Sequence, residues 1–345
     1  MTTYYVDPAA TGSNNGSDWT NAWTSLQSAA DTAVAGDIVY CRGTQSISAK
    51  IDFDTNAGTQ AGGFIKFIGC NSSGNVDGTR FILDAGGASA RHCIDASSGT
   101  ADMVWMENIE CKNSTGTAYG FYGSSAAHGW VFINCCVNNI GSYGWYTFRY
   151  CQLYRCVAYQ CGQSGFYGMQ NAILAFCCSR DNSNSGFESN GIALYYGCIA
   201  YGNSDDGIEG LHQSLPSGMI NCVVDGNTDD GVLLSSHADL TGPFILGCRI
   251  TNHSGSGDIG LNANSEPLVV GWSYFEDNDG DNIQNKAAAY GEIPLEGGAA
   301  TSNIEDQSLT DQGYVDPTNH DFSTDYDSGH ATQNPRRRAI TVPWS

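Results

Sequence analysis

One spacing governs this sequence: a cysteine, eight intervening residues, then glycine and an apolar residue. Cys135 leads to Gly144-Trp145, Cys156 to Gly165-Phe166, Cys177 to Gly186-Phe187, Cys198 to Gly207-Ile208 and Cys222 to Gly231-Val232. Cys248 leads to Gly257, with the apolar residue delayed to Ile259. Ser273 leads to Asn282-Ile283, asparagine being the usual substitute where glycine adopts positive φ. The successive periods are 21, 21, 21, 24, 26 and 25 residues. Upstream, Gly120-Phe121 opens another copy, with either Ile109 or Cys111 in the cysteine slot.

A period of this length marks a stack of like units, each burying its apolar face only against the next. Two residues after the slot stand Val137, Ala158, Ser179, Ala200, Val224, Ile250 and Phe275, mostly small or apolar. Short apolar runs such as Val131-Phe132-Ile133 and Phe244-Ile245-Leu246 precede it. Each repeat therefore reads strand, turn, strand, with alternate residues pointing inward. The predicted fold is all-β: a single right-handed parallel β-helix of about ten coils, each 21–26 residues long. Composition agrees, since 43 glycines, 14% charged and 41% hydrophobic residues suit short strands and many turns rather than disorder.

The same register decides what the 14 cysteines do. One thiol per coil stacks into an inward column, where sulfur fills an apolar interior well. That spacing supplies no pairs, so the thiols are expected free and buried, with the second thiols of Cys135-Cys136 and Cys177-Cys178 turned outward. Residues 24–35 read as a short amphipathic helix ending at Gly36, plugging one end of the stack. Ile38-Val39-Tyr40-Cys41 then reads as the first strand, and the repeat lapses near 286. The expected division is an N-terminal cap over 1–37, the β-helix over 38–285 and an irregular C-terminal tail over 286–345.

With 36 acidic against 14 basic residues, the chain carries a net charge of −22. That sign excludes nucleic acid as a main partner and favours a neutral ligand or divalent cations. No apolar run is long enough for membrane insertion. The opening from Met1 to Pro8 shows neither a basic n-region nor an apolar h-region. The expectation is a protein made in the cytoplasm without a visible signal peptide and placed on a virion or cell exterior.

The segments Tyr4-Tyr5-Val6-Asp7-Pro8, Gly12-Ser13-Asn14-Asn15-Gly16, Trp23 and Gly36-Asp37-Ile38-Val39-Tyr40 resemble the N-terminal cap of the pectate-lyase-like β-helix superfamily. Tyr314-Val315-Asp316-Pro317 with Asp321-Phe322 is similar to its closing segment. The resemblance spans essentially the whole chain. It implies the fold, while the superfamily's activities range over lyases, hydrolases, epimerases and phage tailspikes.

Two rows of side chains could carry chemistry. Asn203-Ser204-Asp205-Asp206-Gly207-Ile208-Glu209 is followed one coil later by Asn227-Thr228-Asp229-Asp230-Gly231-Val232. The template stacks Asp205 on Asp229 and Asp206 on Asp230, with His212 and His237 trailing at similar offsets. Four carboxylates so close repel unless they share a cation, and Ca²⁺ takes such oxygens readily. The motif resembles the calcium element of family nine pectate lyases, with Glu209 in place of its last Asp. Those lyases use a lysine base on a later coil, and here Lys286 is the only lysine beyond Lys112. Asp205, Asp206, Asp229 and Asp230 are thus candidate catalytic carboxyls, and with Glu209 candidate Ca²⁺ ligands. The plain alternative is turn chemistry, which Asn, Asp and Gly all favour.

The second row stands two residues after each turn glycine: Tyr122, Tyr146, Tyr167, Glu188, Glu209 and Leu233. Stacked tyrosines suit the apolar faces of sugars or a protein partner, or simply one another. Tyr195, Tyr196 and Tyr201 enrich the same stretch, and Arg336-Arg337-Arg338 stands near the end as a clamp or a solvated run. Three functions follow. The first is a structural or adhesive virion-type β-helix, with polysaccharide or other virion proteins as partners and a homotrimer as its assembly. The second is a Ca²⁺-dependent polysaccharide lyase or glycoside hydrolase, and the third a non-catalytic carbohydrate-binding surface protein. Without a lysine base the expectation leans to the first.

Overall fold

The computed structural model describes residues 1–97, 101–124, 127–211, 217–234, 243–254, 260–262, 269–271, 273–276, 283–284, 304–305, 314–316 and 321–324. Each coil of the parallel β-helix carries three strands rather than the two read from the sequence, and these assemble into three parallel sheets. The first sheet has eleven strands, from Thr3–Val6 through Val131–Ile133 to Val269–Gly271. The second, also of eleven, follows each cysteine slot, as in Cys136–Ile140 and Val157–Cys161. The third, of ten, is built from pieces as short as Phe121–Tyr122 and Trp145–Tyr146. Two residues cannot display an alternation, which is why this sheet was invisible to pattern reading.

The ladder is in register coil by coil. Val137 pairs with Ala158, Ala158 with Ser179, Ser179 with Ala200, and Ala200 with Val224. Upstream, Val137 pairs with Cys111, which places Ile109 in the cysteine slot. Downstream, Val232 pairs with Leu261, and the Val232 N–H donates to the Gly260 carbonyl. The repeat therefore resumes at Gly260-Leu261, not at Gly257 and Ile259, which lie outside the described residues. The longer turn after Cys248 displaced the glycine.

All 14 cysteines are free and buried. Cys135, Cys156, Cys177, Cys198, Cys222 and Cys248 form the inward column, and each is at most 2% exposed. The column's thiols reach carbonyls of the preceding coil, as Cys177 to Leu153 at 3.5 Å and Cys198 to Leu174 at 3.2 Å. Cys136 and Cys178 do face outward but are buried with Val157, Ile199 and Val223 beneath Tyr159 and Tyr201. Just before the slot each coil turns through one left-handed residue: Asn108, Asn134, Arg155, Phe176, Gly197, Asn221 and Gly247. One such residue bends the chain from the first sheet to the second.

The cap helix is Leu26–Thr32, shorter than expected because Ser25 caps it, its hydroxyl accepting from the Gln27 N–H at 3.2 Å. It buries Leu26, Ala29 and Ala30 against the end of the stack. The first strand is not Ile38–Arg42 but Thr3–Val6, which pairs with it in parallel. Beyond 285, Ile304–Glu305 pairs with Tyr274–Glu276 in the second sheet. Tyr314–Asp316 and Asp321–Thr324 form an antiparallel pair.

Candidate functional site

The turn into the third sheet is built on a glycine column from Gly120 to Gly231. A Cβ on Gly144 would sit 2.4 Å from the Gly165 carbonyl oxygen, so coils pack here only without side chains. Beneath that corner runs a ladder of buried asparagines. Asn182 Nδ2 donates to Asn203 Oδ1 at 2.9 Å, and Asn203 Nδ2 donates to Asn227 Oδ1 at 2.8 Å. The asparagine of Asn-x-Asp-Asp-Gly thus serves a buried ladder that runs from coil to coil beside the acids.

Two columns rise on the outer side of this corner. The residues two after each glycine stack as the sequence predicts: Tyr122 on Tyr146, Tyr167, Glu188, Glu209 and Leu233 in turn. The residues just before each glycine form a second column, of which the sequence showed only the step from Asp206 to Asp230: Tyr119, Tyr143, Ser164, Ser185, Asp206 and Asp230. Its signal was present, because Tyr119 and Tyr143 hold the same offset from Gly120 and Gly144. Together the columns change from phenol to carboxyl along the helix axis, with the half-buried tyrosines, Glu188 and Glu209 at the surface and Ser164, Ser185, Asp206 and Asp230 buried behind them.

The tyrosines stack on one another rather than lying flat. Tyr146 and Tyr167 are 5.0 Å apart at 11°, Tyr119 and Tyr146 are 4.6 Å apart at 27°, and His92 covers Tyr119 at 4.7 Å and 12°. Ring faces are consumed within the pile, so the surface offers ring edges and hydroxyls. The tyrosines thus pack on one another and present a strip of hydrogen-bonding phenols. Tyr195 is fully buried in the first sheet, and neither it nor Tyr196 nor Tyr201 belongs to the row.

The carboxyl half of the row is crowded. Ser164 Oγ donates to Glu188 at 3.0 Å, and Ser185 Oγ donates to Glu209 at 2.7 Å. Burial, then the Glu209 charge, pushes the Glu188 carboxyl up to about 7. Burial, then the charges of Asp205 and Asp230, pushes Asp206 up to about 9. Asp205 and Glu209 are also raised, again mainly by burial. Asp206 is 3% exposed, and its Oδ1 accepts the Asp230 N–H at 2.9 Å.

Carboxylate oxygens of Asp205, Asp206 and Asp229 lie within 4.8 Å of one another. This hard-oxygen set fits a cation such as Ca²⁺ and would relieve the repulsion that raises Asp206. Asp230 and Glu209 are not in that triad: Asp230 Oδ2 accepts from Asn262 Nδ2 at 2.8 Å, and Glu209 is held by Ser185. His212, His237, Lys286 and Arg336 to Arg338 lie outside the described residues.

Fold and row together define a right-handed parallel β-helix with an acidic and phenolic face. Pectate lyase Pel9A superposes with a TM-score of 0.67 at 16% identity, over 91% of this chain and 83% of that one. The A-module of the Azotobacter vinelandii mannuronan C-5 epimerase AlgE4 gives 0.52 at 15%, over 76% and 72%. ORF18 of Geobacillus virus E2 gives 0.54 at 14%, over 75% of this chain and 56% of that one. No family model matches the sequence, and no curated protein does. At these identities the likeness is one of fold, which hosts many chemistries.

Proposed function

We propose that this protein is an adhesive β-helix of the kind a virus particle carries, which binds a polysaccharide lengthwise along the row. One observation carries the reading: the phenols of Tyr122, Tyr146 and Tyr167 and the carboxyls of Glu188 and Glu209 line up in register on successive coils. Such a line of donors and acceptors matches a polyhydroxylated chain laid parallel to the helix axis. The fold likeness to a virus protein and to proteins named for polysaccharide chemistry supports it. With a net charge of −22, the fitting glycan is neutral, or anionic with Ca²⁺ shared between it and the Asp205, Asp206 and Asp229 carboxylates.

A second reading, a Ca²⁺-dependent lyase or hydrolase, is favoured by Glu188 and Asp206, whose raised carboxyls can hold a proton near neutral pH. One experiment separates the two from each other and from a purely structural role. The protein is incubated with neutral and acidic polysaccharides, with Ca²⁺ or with EDTA, following retention, unsaturated products and reducing ends. Retention without turnover supports the adhesive. Turnover lost in Asp205→Ala or Asp229→Ala replaces it with the enzyme, and neither retention nor turnover removes both.

A further inference from the structure

We infer that the corner between the third and first sheets holds a binding site for a single neutral pyranose, separate from the row. A cavity of about 440 Å³ opens there, lined by Thr59, Gln60, Asp102, Met103, His128 and Tyr150. That volume lies within the range of small-molecule sites, roughly 300–1,000 Å³. Four successive coils supply the walls, each where its chain passes from the third sheet to the first. The first wall is a tight hairpin in which Thr59 and Gly63 exchange backbone hydrogen bonds at 3.1 and 2.7 Å. It is tied to the next coil, because the Gly58 N–H donates to the Asp102 carbonyl at 2.8 Å. A Cβ on Gly58 would lie 2.3 Å from the Met103 carbonyl oxygen, so hairpin and coil are in direct contact.

Tyr150 supplies the platform. It is 62% exposed, and its one ring contact, edge-on to His128 at 5.7 Å and 67°, leaves a face open. The tyrosines of the row, by contrast, spend their faces on one another. Tyr150 also stands at φ 51°, at a corner where the neighbouring coils place Gly129 and Asn171. A tyrosine there is strained, and burial within the chain does not offset the strain. Groups that bond hydroxyls surround the ring. Asp102 Oδ1 accepts the His128 N–H at 2.9 Å, while Asp102 Oδ2 and the Gln60 amide have no hydrogen-bond partner among the described residues. Thr59 Oγ1 accepts the Gly62 N–H at 2.9 Å and keeps its own proton to donate.

These features define the ligand class. An open aromatic face takes the C–H face of a sugar ring, and the carboxylate, amide and hydroxyl around it take the ring's hydroxyls. Charge narrows the class further. Asp102 lines the cavity without any lysine or arginine, which disfavours an anion. His128 Nδ1, 3.8 Å from Asp102 Oδ1, occupies the place where a ligand ammonium would pair, which disfavours a cation. A neutral hexopyranose meets each of these conditions.

Saturation-transfer NMR on the full chain tests this, with the methyl glycosides of glucose, galactose, mannose and N-acetylglucosamine at millimolar concentration. At least one glycoside is expected to take up saturation from the wild type. Tyr150→Gly removes the ring and relieves the left-handed residue, so it should melt no lower than the wild type and lose the signal. Asp102→Asn can still accept the His128 N–H, and it should bind the same glycoside about tenfold more weakly. A wild type silent with all four glycosides, a signal unchanged in Tyr150→Gly, or equal affinity in Asp102→Asn overturns the inference. A signal that persists in Tyr150→Gly and falls in Glu188→Gln belongs to the row, so the two sites fail separately.

Discussion

Replacing Asp206 with asparagine removes the charge this corner holds least easily. In the folded chain burial and four neighbouring carboxylates push the Asp206 carboxyl up to about 9. In the unfolded chain it ionises near the ordinary value of about 3.9. Between those limits the folded state keeps a proton that the unfolded state has released. Wild-type stability is therefore fully present below about pH 4 and is lost as pH rises towards 9. The slope for one proton is about 1.4 kcal/mol per pH unit, or roughly 3 kcal/mol between pH 5 and 7. Glu188, pushed up to about 7, adds to the same trend. Asparagine keeps the Oδ1 acceptor for the Asp230 N–H and carries no charge. Urea unfolding in EDTA should show Asp206→Asn matching the wild type near pH 4 and exceeding it by roughly 3–4 kcal/mol at pH 7. A variant equal to or weaker than the wild type at pH 7 refutes the placement of that carboxyl. Added Ca²⁺ should raise the wild type and leave the variant nearly unmoved, closing the gap.

Other substitutions test the corner and the core. Asn203→Ala, which removes two ladder bonds from a fully buried side chain, should cost about 2–4 kcal/mol in the same urea titration. Thiol titration should find none of the 14 cysteines reactive in the native protein and all of them reactive in denaturant, since every one is unpaired and buried out of reach of the reagent. Arg155→Gly, at φ 54°, should raise stability by about 0.5–1 kcal/mol, less whatever the Arg155 contact with Tyr154 contributes.

The cysteine column was legible because one residue type held one offset over six coils, and the third sheet was not, because its strands are two to four residues long. Ile109 could not be told from Cys111 until the pairing of Val137 fixed the register. The aspartate and Tyr122 rows were readable from their distance to the turn glycines. Tyr119 and Tyr143 hold before Gly120 and Gly144 the offset that Asp206 and Asp230 hold before theirs, but Ser164 and Ser185 between them break the chemical likeness of the column. Sequence also gave no sign of ring orientation, which depends on how neighbouring side chains share space.

The row's role as a polysaccharide site is tested most directly by calorimetric titration of the wild type, Tyr143→Ala and Glu188→Gln with each glycan the protein retains. The account predicts binding by the wild type and a loss of about tenfold or more in each variant, measured where circular dichroism shows each of them folded. Equal affinity in all three proteins would place the glycan elsewhere and contradict it.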